Sequence, residues 1–400
     1  MANAEHGPDR SGRRRVAVTG LGVVSCCGIC KDAFFAGLNG PAPEGEHRVR
    51  GFDPSLWFDA KEARRVDPFA QYAVAAADMA LADAGPVDVD PALAGIEIGT
   101  GVGGLSTMES QIGVLLEKGP RRVSPFLVPM MMANAGAATV SMRLGWRGPC
   151  ETIATACASG SHSILAAHRL IASGRCDAVL AGGAEAAMTP VALAAFGNMT
   201  ALSTSGQSRP FDVRRDGFVI AEGGAVLVLE ELERARARGA RIYAELLGGA
   251  STADAHHITA PAPGGVGAIG CMELALEDAG LTAADVAHVN AHGTSTPLND
   301  LAEAEAIEKV FGRPGPPVTS IKGVTGHSLG AAGALEAVAC ALSIERGLIP
   351  PTVGLEQQDP DIHLDIVKDA PRNWEPGPIL SNSFGFGGHN GCIVLAPVPV

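Results

Sequence analysis

Four short segments of the chain gather residues able to do covalent and proton-transfer chemistry. Thr155-Ala156-Cys157-Ala158-Ser159-Gly160-Ser161-His162 sets a cysteine where a strand gives way to an alanine-rich helix. At a helix N-terminus, partial positive charge and free N–H groups favour thiolate over thiol, the form a nucleophile needs. The amide of Cys157, pointing the same way, can donate to an oxyanion. A cysteine taken at random is more often an inert core residue; the small, glycine-containing flanks of Cys157 weigh against that. Asn290-Ala291-His292-Gly293-Thr294-Ser295-Thr296 puts a histidine directly after the apolar run 286–289, where α/β sheets present side chains to a cleft. Ser320-Ile321-Lys322-Gly323-Val324-Thr325-Gly326-His327 repeats the placement, with a lysine ahead of its histidine. Taken singly, Lys322 reads as a solvated charge and His327 as a satisfied cap. Asn382-Ser383-Phe384-Gly385-Phe386-Gly387-Gly388-His389-Asn390 is a loop whose backbone is free to approach a ligand.

The elements that must position these residues alternate. Short β-branched runs ending in glycine recur at 16–19 and 96–98, and helical spacing of apolar residues covers 66–84 and 162–172. Further strands are expected at 177–181, 225–230, 242–247, 286–290, 318–320, 379–382 and 392–395, with a helix at 270–279. The pattern predicts an α/β architecture in two similar halves, 16–240 with the cysteine and 241–400 with the histidines and lysine, after a polar tail at 1–15. It suggests an internal duplication.

Composition narrows the function. With 46% hydrophobic but only 4% aromatic residues, the core is built from Ala, Val, Leu and Ile, and 51 glycines point to close helix–strand packing. Thirty basic against 43 acidic side chains give −13, which argues against a nucleic-acid footprint. No apolar signal segment accompanies Arg13-Arg14-Arg15, and the apolar stretch 126–140 is broken by Pro129 and Asn134, so neither export nor a membrane span is expected. The nine cysteines are then expected to be reduced thiols of a cytoplasmic protein.

Together the four motifs resemble, in order and spacing, the β-ketoacyl-acyl-carrier-protein synthases of the elongating type with a Cys-His-His triad, over almost the whole chain from Val18-Thr19-Gly20-Leu21-Gly22 to Gly387-Gly388-His389-Asn390-Gly391. The resemblance implies a thiolase-like fold of five α-β-α-β-α layers, a dimer, no cofactor or metal, and substrates carried on the phosphopantetheine of an acyl carrier protein. Cys157 matches the acyl-accepting nucleophile, His292 and His327 the pair that promotes malonyl decarboxylation, and Lys322 their supporting lysine. Two imidazole N–H donors would stabilise the enolate left by carbon dioxide. The resemblance also implies an oxyanion hole from the amides of Cys157 and Phe386, a gate at Phe386, and substrate contacts at Phe384, Thr294 and Thr296. It further implies an acyl-pocket position for Met108, acidic residues Asp300 and Glu303 behind Lys322, and a carrier-docking patch at Lys61, Arg64 and Arg65. By charge alone that patch reads as a solvated helical face, and by period alone Met108, Met130, Met131 and Met132 read as core or dimer interface.

Three departures stand out. Ser25-Cys26-Cys27-Gly28-Ile29-Cys30 replaces a Ser-Pro turn, and a buried, reduced turn of small residues is expected there rather than a metal site. His389 replaces a threonine. Thr200 replaces a residue that is often basic, beside a short 203–207 loop. A thiolase would carry a second catalytic cysteine in place of the histidine pair, and Cys392 sits in a strand instead. A starter-type synthase would use Cys-His-Asn, and a chain-length factor would lack Cys157. Fatty-acid elongation by a homodimer and a dedicated type II polyketide or polyene pathway with a chain-length-factor partner use the same residues.

Overall fold

The computed structural model describes residues 12–43 and 46–399, so expectations for residues 1–11 lie outside the described residues. Strands and helices run in order through the first half as β1 (Val16–Ser25), β2 (Gly28–Ile29), α1 (Lys31–Leu38), α2 (Ala60–Ala63), α3 (Pro68–Ala84), β3 (Ala94–Gly99), α4 (Leu105–Lys118), α5 (Leu127–Met131), α6 (Ala135–Leu144), β4 (Cys150–Glu151), α7 (Ser159–Ala172), β5 (Ala178–Glu185), α8 (Pro190–Asn198), β6 (Gly223–Glu231) and α9 (Leu232–Ala237). The second half continues with β7 (Ala244–Ala253), α10 (Val266–Ala279), β8 (His288–Asn290), α11 (Pro297–Phe311), β9 (Val318–Thr319), α12 (Lys322–Thr325), α13 (Ala332–Arg346), β10 (Leu348–Ile349), β11 (Arg372–Asn373), β12 (Ile379–Gly385) and β13 (His389–Ala396).

The duplication suggested by the alternation is plain in the topology. The first sheet runs β4-β3-β5-β6-β1 and the second β9-β8-β12-β13-β7, and the two meet edge to edge where Val16–Val18 of β1 pair with β7. Pairing directions correspond as well: β3–β5 and β8–β12 are parallel, and β5–β6 and β12–β13 antiparallel. Helices α7 and α13 contact each other and both sheets, while α3 lies on the outside of the first sheet and α10 on the outside of the second. This is the expected stack of five α-β-α-β-α layers.

Several strands outrun their expected ends because glycine there does not stop a strand. A Cβ on Gly20 or Gly22 would collide with the carbonyl oxygens of Ala80 and Ala76, so glycine in β1 lets α3 lie directly on the sheet. Helix α3 is itself set by Asp67 at its N-cap, Pro68 in its first turn, a nearly continuous buried alanine face, and Gly85 at φ 71 after its end. Arg13, Arg14 and Arg15 are no loose tail: they pair with Asp278, Asp177 and Glu245 at 2.7, 2.7 and 2.5 Å. No helix among the described residues is long and apolar enough to cross a membrane.

Candidate active site

The two buried helices begin at equivalent places, and their starts converge. A 3₁₀ turn, Ala156–Ala158, leads into α7, and another, Leu329–Ala331, leads into α13. Ala156 at φ 50 and Leu329 at φ 46 are both forced into the left-handed region, a strain that side-chain-bearing residues keep only where surroundings over-determine it. Around the first turn, the Ser159 hydroxyl donates to Ala156 O at 2.7 Å and accepts from Thr155 N at 2.9 Å. Glu185, fully buried at the end of β5, ties the second turn to the loop after β3 by accepting from Gly101 N at 2.6 Å, Thr100 Oγ1 at 2.9 Å and Gly330 N at 3.1 Å. Sequence reasoning missed Glu185; its only signal was an acid closing a strand otherwise free of charge.

The ligand atoms of Cys157, His292 and His327 all lie within 4.8 Å of one another. The histidine rings meet edge to face at 5.3 Å, and Phe384 and Phe218 flank them at 5.8 and 5.3 Å. Lys322 sits behind His292, with Nζ donating to His292 O at 2.6 Å and lying 3.3 Å from Nδ1. That contact makes Nδ1 the acceptor and leaves Nε2 of His292 to carry the proton.

The carboxylates behind Lys322 differ from expectation. Asp300 and Glu303 do not reach it. Asp300 accepts from Phe211 N and Ser295 N, and Glu303 from His292 N and Gly293 N, both at 2.7 Å, so they brace the loop that carries His292. The partner of Lys322 is Glu336, on α13. Glu336 was not legible because an acid inside Leu335-Glu336-Ala337 reads as one solvated position of an otherwise apolar helix.

Burial opposes the thiolate that a helix start favours. The Cys157 thiol is pushed up to about 11 by desolvation, which outweighs the opposing charge of Lys322 and the amide of Phe386 directed at the sulfur. The same burial, aided by Lys322, holds both His292 and His327 well below the ordinary imidazole value. The site at rest is a thiol facing two neutral imidazoles, each able to offer an N–H.

A cavity of about 520 Å³ opens on this cluster, within the range of small-molecule sites. Cys157, His292 and His327 line it, together with Thr294, Thr296, Phe384 and Phe386, and apolar side chains such as Phe196 and Phe218 form further wall. The Thr294 and Thr296 hydroxyls are 3.0 Å apart. Gly385 lies so close over the cysteine turn that a Cβ there would come within 3.1 Å of Cys157 N. Met108 is not part of the wall; it is half-buried on α4, and Gly101 and Val102 line the cavity at that side instead. Lys61, Arg64 and Arg65 are exposed around the four-residue α2, with the Arg65 guanidinium 4.2 Å over the Phe126 ring.

The profile of the β-ketoacyl synthase N-terminal domain matches residues 38–235, and that of the C-terminal domain residues 243–356. The chain belongs to the β-ketoacyl synthase family. It is 44% identical to 3-oxoacyl-[acyl-carrier-protein] synthase 2 of Synechocystis sp., over 98% of both chains. Among solved structures, the ishigamide ketosynthase/chain length factor superposes with a TM-score of 0.91 at 37% identity, covering 97% of this chain and 100% of the other. A type II PKS acyl-carrier protein in complex with its ketosynthase, bound to the hexaketide, superposes at 0.89 with 33% identity and the same coverage. The five-layer fold is thus thiolase-like, as in ketosynthases, and the chain is an enzyme of the acyltransferase class.

Proposed function

We propose that the chain condenses an acyl group held on Cys157 with a malonyl thioester delivered by acyl carrier protein, releasing carbon dioxide and extending the acyl chain by two carbons. The observation that carries this reading is the convergence, inside one cavity, of the Cys157 thiol and the His327 imidazole at the starts of two equivalent helices with the His292 imidazole from the loop after β8.

The Cys157 sulfur attacks the acyl thioester, and its proton leaves to a neighbouring neutral imidazole or to the departing pantetheine thiol. Lys322 and the N-terminal amides of α7 favour the negative sulfur during this step. The amides of Cys157 and Phe386 would take the tetrahedral oxyanion, a role supported by the Phe386 amide being directed at the Cys157 sulfur. The malonyl thioester then enters with its carbonyl oxygen toward His292 and His327. Loss of carbon dioxide leaves an enolate held by their N–H groups, its carbon attacks the acyl-Cys157 carbonyl, and collapse of the tetrahedral adduct breaks the C–S bond and returns Cys157 as a thiolate that regains its proton. Neutral imidazoles suit this because a donor is needed and a permanent cation would bind the malonate carboxylate in place. Thr294 and Thr296 offer hydroxyls to the pantetheine arm, and Lys61, Arg64 and Arg65 a positive surface to an acidic carrier.

A partner subunit is supported by one face. Leu115, Leu116, Val128, Met132 and Met142 are exposed along 105–144, beside Cys150–Glu151, the edge strand that pairs with β3 on one side only. Incubation with acyl-carrier-protein substrate followed by mass spectrometry tests the function: one acyl adduct on Cys157 is expected, and condensation that persists in Cys157→Ala would overturn it.

A further inference from the structure

Cys26 and Cys27 belong to no step above, yet they form the two-residue tip of the β1–β2 hairpin, between the paired residues Ser25 and Gly28. The tip leans on the helix that carries Lys322. Cys26 Sγ donates to Thr325 O at 3.3 Å and approaches Val324 O at 3.8 Å, at the end of α12 and two residues before His327. Cys27 Sγ lies 3.4 Å from Ser25 Oγ, and α1 closes over it, where a Cβ on Gly37 would meet the Cys27 backbone. Both thiols are only partly buried.

We propose that Cys26 and Cys27 form a reversible vicinal disulfide under peroxide, a modification site that loosens α12 and slows decarboxylation. Adjacent Cα atoms stand about 3.8 Å apart across a trans peptide, closer than ordinary disulfides prefer, so the bond is strained and readily reduced. That suits a switch rather than a structural link. The Cys26 side chain and the Ser25 hydroxyl beside it also hold Cys27 below the ordinary thiol value. In the reaction the Cys27 thiolate attacks hydrogen peroxide and becomes a sulfenic acid, with one oxygen leaving as water after protonation. The Cys26 sulfur then displaces the second oxygen, also as water. Two thiols and one peroxide give one disulfide and two waters; the sulfurs lose two electrons and the peroxide gains them. Cys26 can no longer donate to Thr325 O, and α12 loses a tether just ahead of His327.

The disulfide does not depend on the proposed function; only its effect on decarboxylation rests on that reading, and the two are measured separately. After peroxide treatment of the full chain, the tryptic peptide 16–31 is expected to lose two hydrogens, to regain them with dithiothreitol, and to do so in Cys30→Ser but not in Cys27→Ser. Sulfinic acid on this peptide, an unchanged mass, or loss of the signal in Cys30→Ser would overturn the site. In parallel, malonyl decarboxylation is expected to fall by roughly 10- to 10²-fold with Cys157 still free to alkylate, and to recover on reduction. Cys26→Ser, which keeps a donor to Thr325 O but forms no disulfide, is expected to resist this loss. A disulfide formed with decarboxylation unchanged would overturn the coupling to α12, and activity lost only in step with Cys157 oxidation would do the same.

Discussion

The turn before α7 and the turn before α13 occupy the same place in two halves of the same topology, yet they are held differently. The first carries Cys157 and is fixed by neutral hydrogen bonds around its backbone, from the Ser159 hydroxyl to Ala156 O and from Thr155 N to that hydroxyl. The second works with histidines braced by buried charge: Lys322 paired with Glu336, and Glu303 holding the amides of His292 and Gly293. One half of a duplicated scaffold thus orients a thiol with dipoles, while the other orients two imidazoles with an ionic network. Dipoles cost little when the sulfur must change charge. A fixed cation behind His292 sets its tautomer and keeps it neutral.

The largest expected effect concerns the thiol. Because burial holds Cys157 near 11, its alkylation by iodoacetamide is expected to rise about tenfold per pH unit from neutrality up to that value. A plateau near pH 8 would mean that the dipoles dominate over burial after all. Next, Glu336→Gln leaves Lys322 buried without its counter-charge and is expected to cost about 3–5 kcal/mol in denaturant unfolding. In the other turn Ser159→Ala removes neutral hydrogen bonds and is expected to cost about 0.5–1.5 kcal/mol. Equal losses would erase the contrast between the halves. The histidines give its pH signature: with folded-state values well below 6.5, the unfolded chain binds their protons first, so stability is expected to fall as pH drops below about 6.5.

The residues of the proposed site were legible because each lies in a contiguous motif of small residues, and local sequence is enough to display a cysteine at a helix start or a histidine after a strand. What was not legible depends on residues far apart in the chain. The ionisation of Cys157 is set by the whole cavity, not by its own helix. Glu336 finds Lys322 only because α13 runs between the sheets, and the glycines of β1 were read as strand ends when their role is to admit α3. Asp300 and Glu303 were expected behind Lys322, and their spacing on α11 does not reveal that they face backbone amides instead. The architecture itself was legible from alternation, although the exact match of strand order between halves was not.

Smaller effects sharpen the periphery of the site. Reversing Lys61, Arg64 and Arg65 to glutamate is expected to raise the apparent KM for carrier-bound substrate a few-fold, roughly, with the loss shrinking as salt rises; an equal loss with small pantetheine thioesters would point to damaged folding instead. Met108→Phe is expected to leave the loading of short and long acyl donors alike, because Met108 lies outside the cavity wall. Selective loss of long donors would restore it to the pocket.

The division of labour between the two turns is tested most directly by carbon dioxide release from a malonyl thioester. Release is expected to persist in Cys157→Ala, which keeps both imidazole donors, and to fall by at least roughly 10²–10³ in the double variant His292→Ala/His327→Ala. Release that survives without the histidines, or that disappears with Cys157 alone, would contradict the assignment of the enolate to the second turn and the acyl chain to the first.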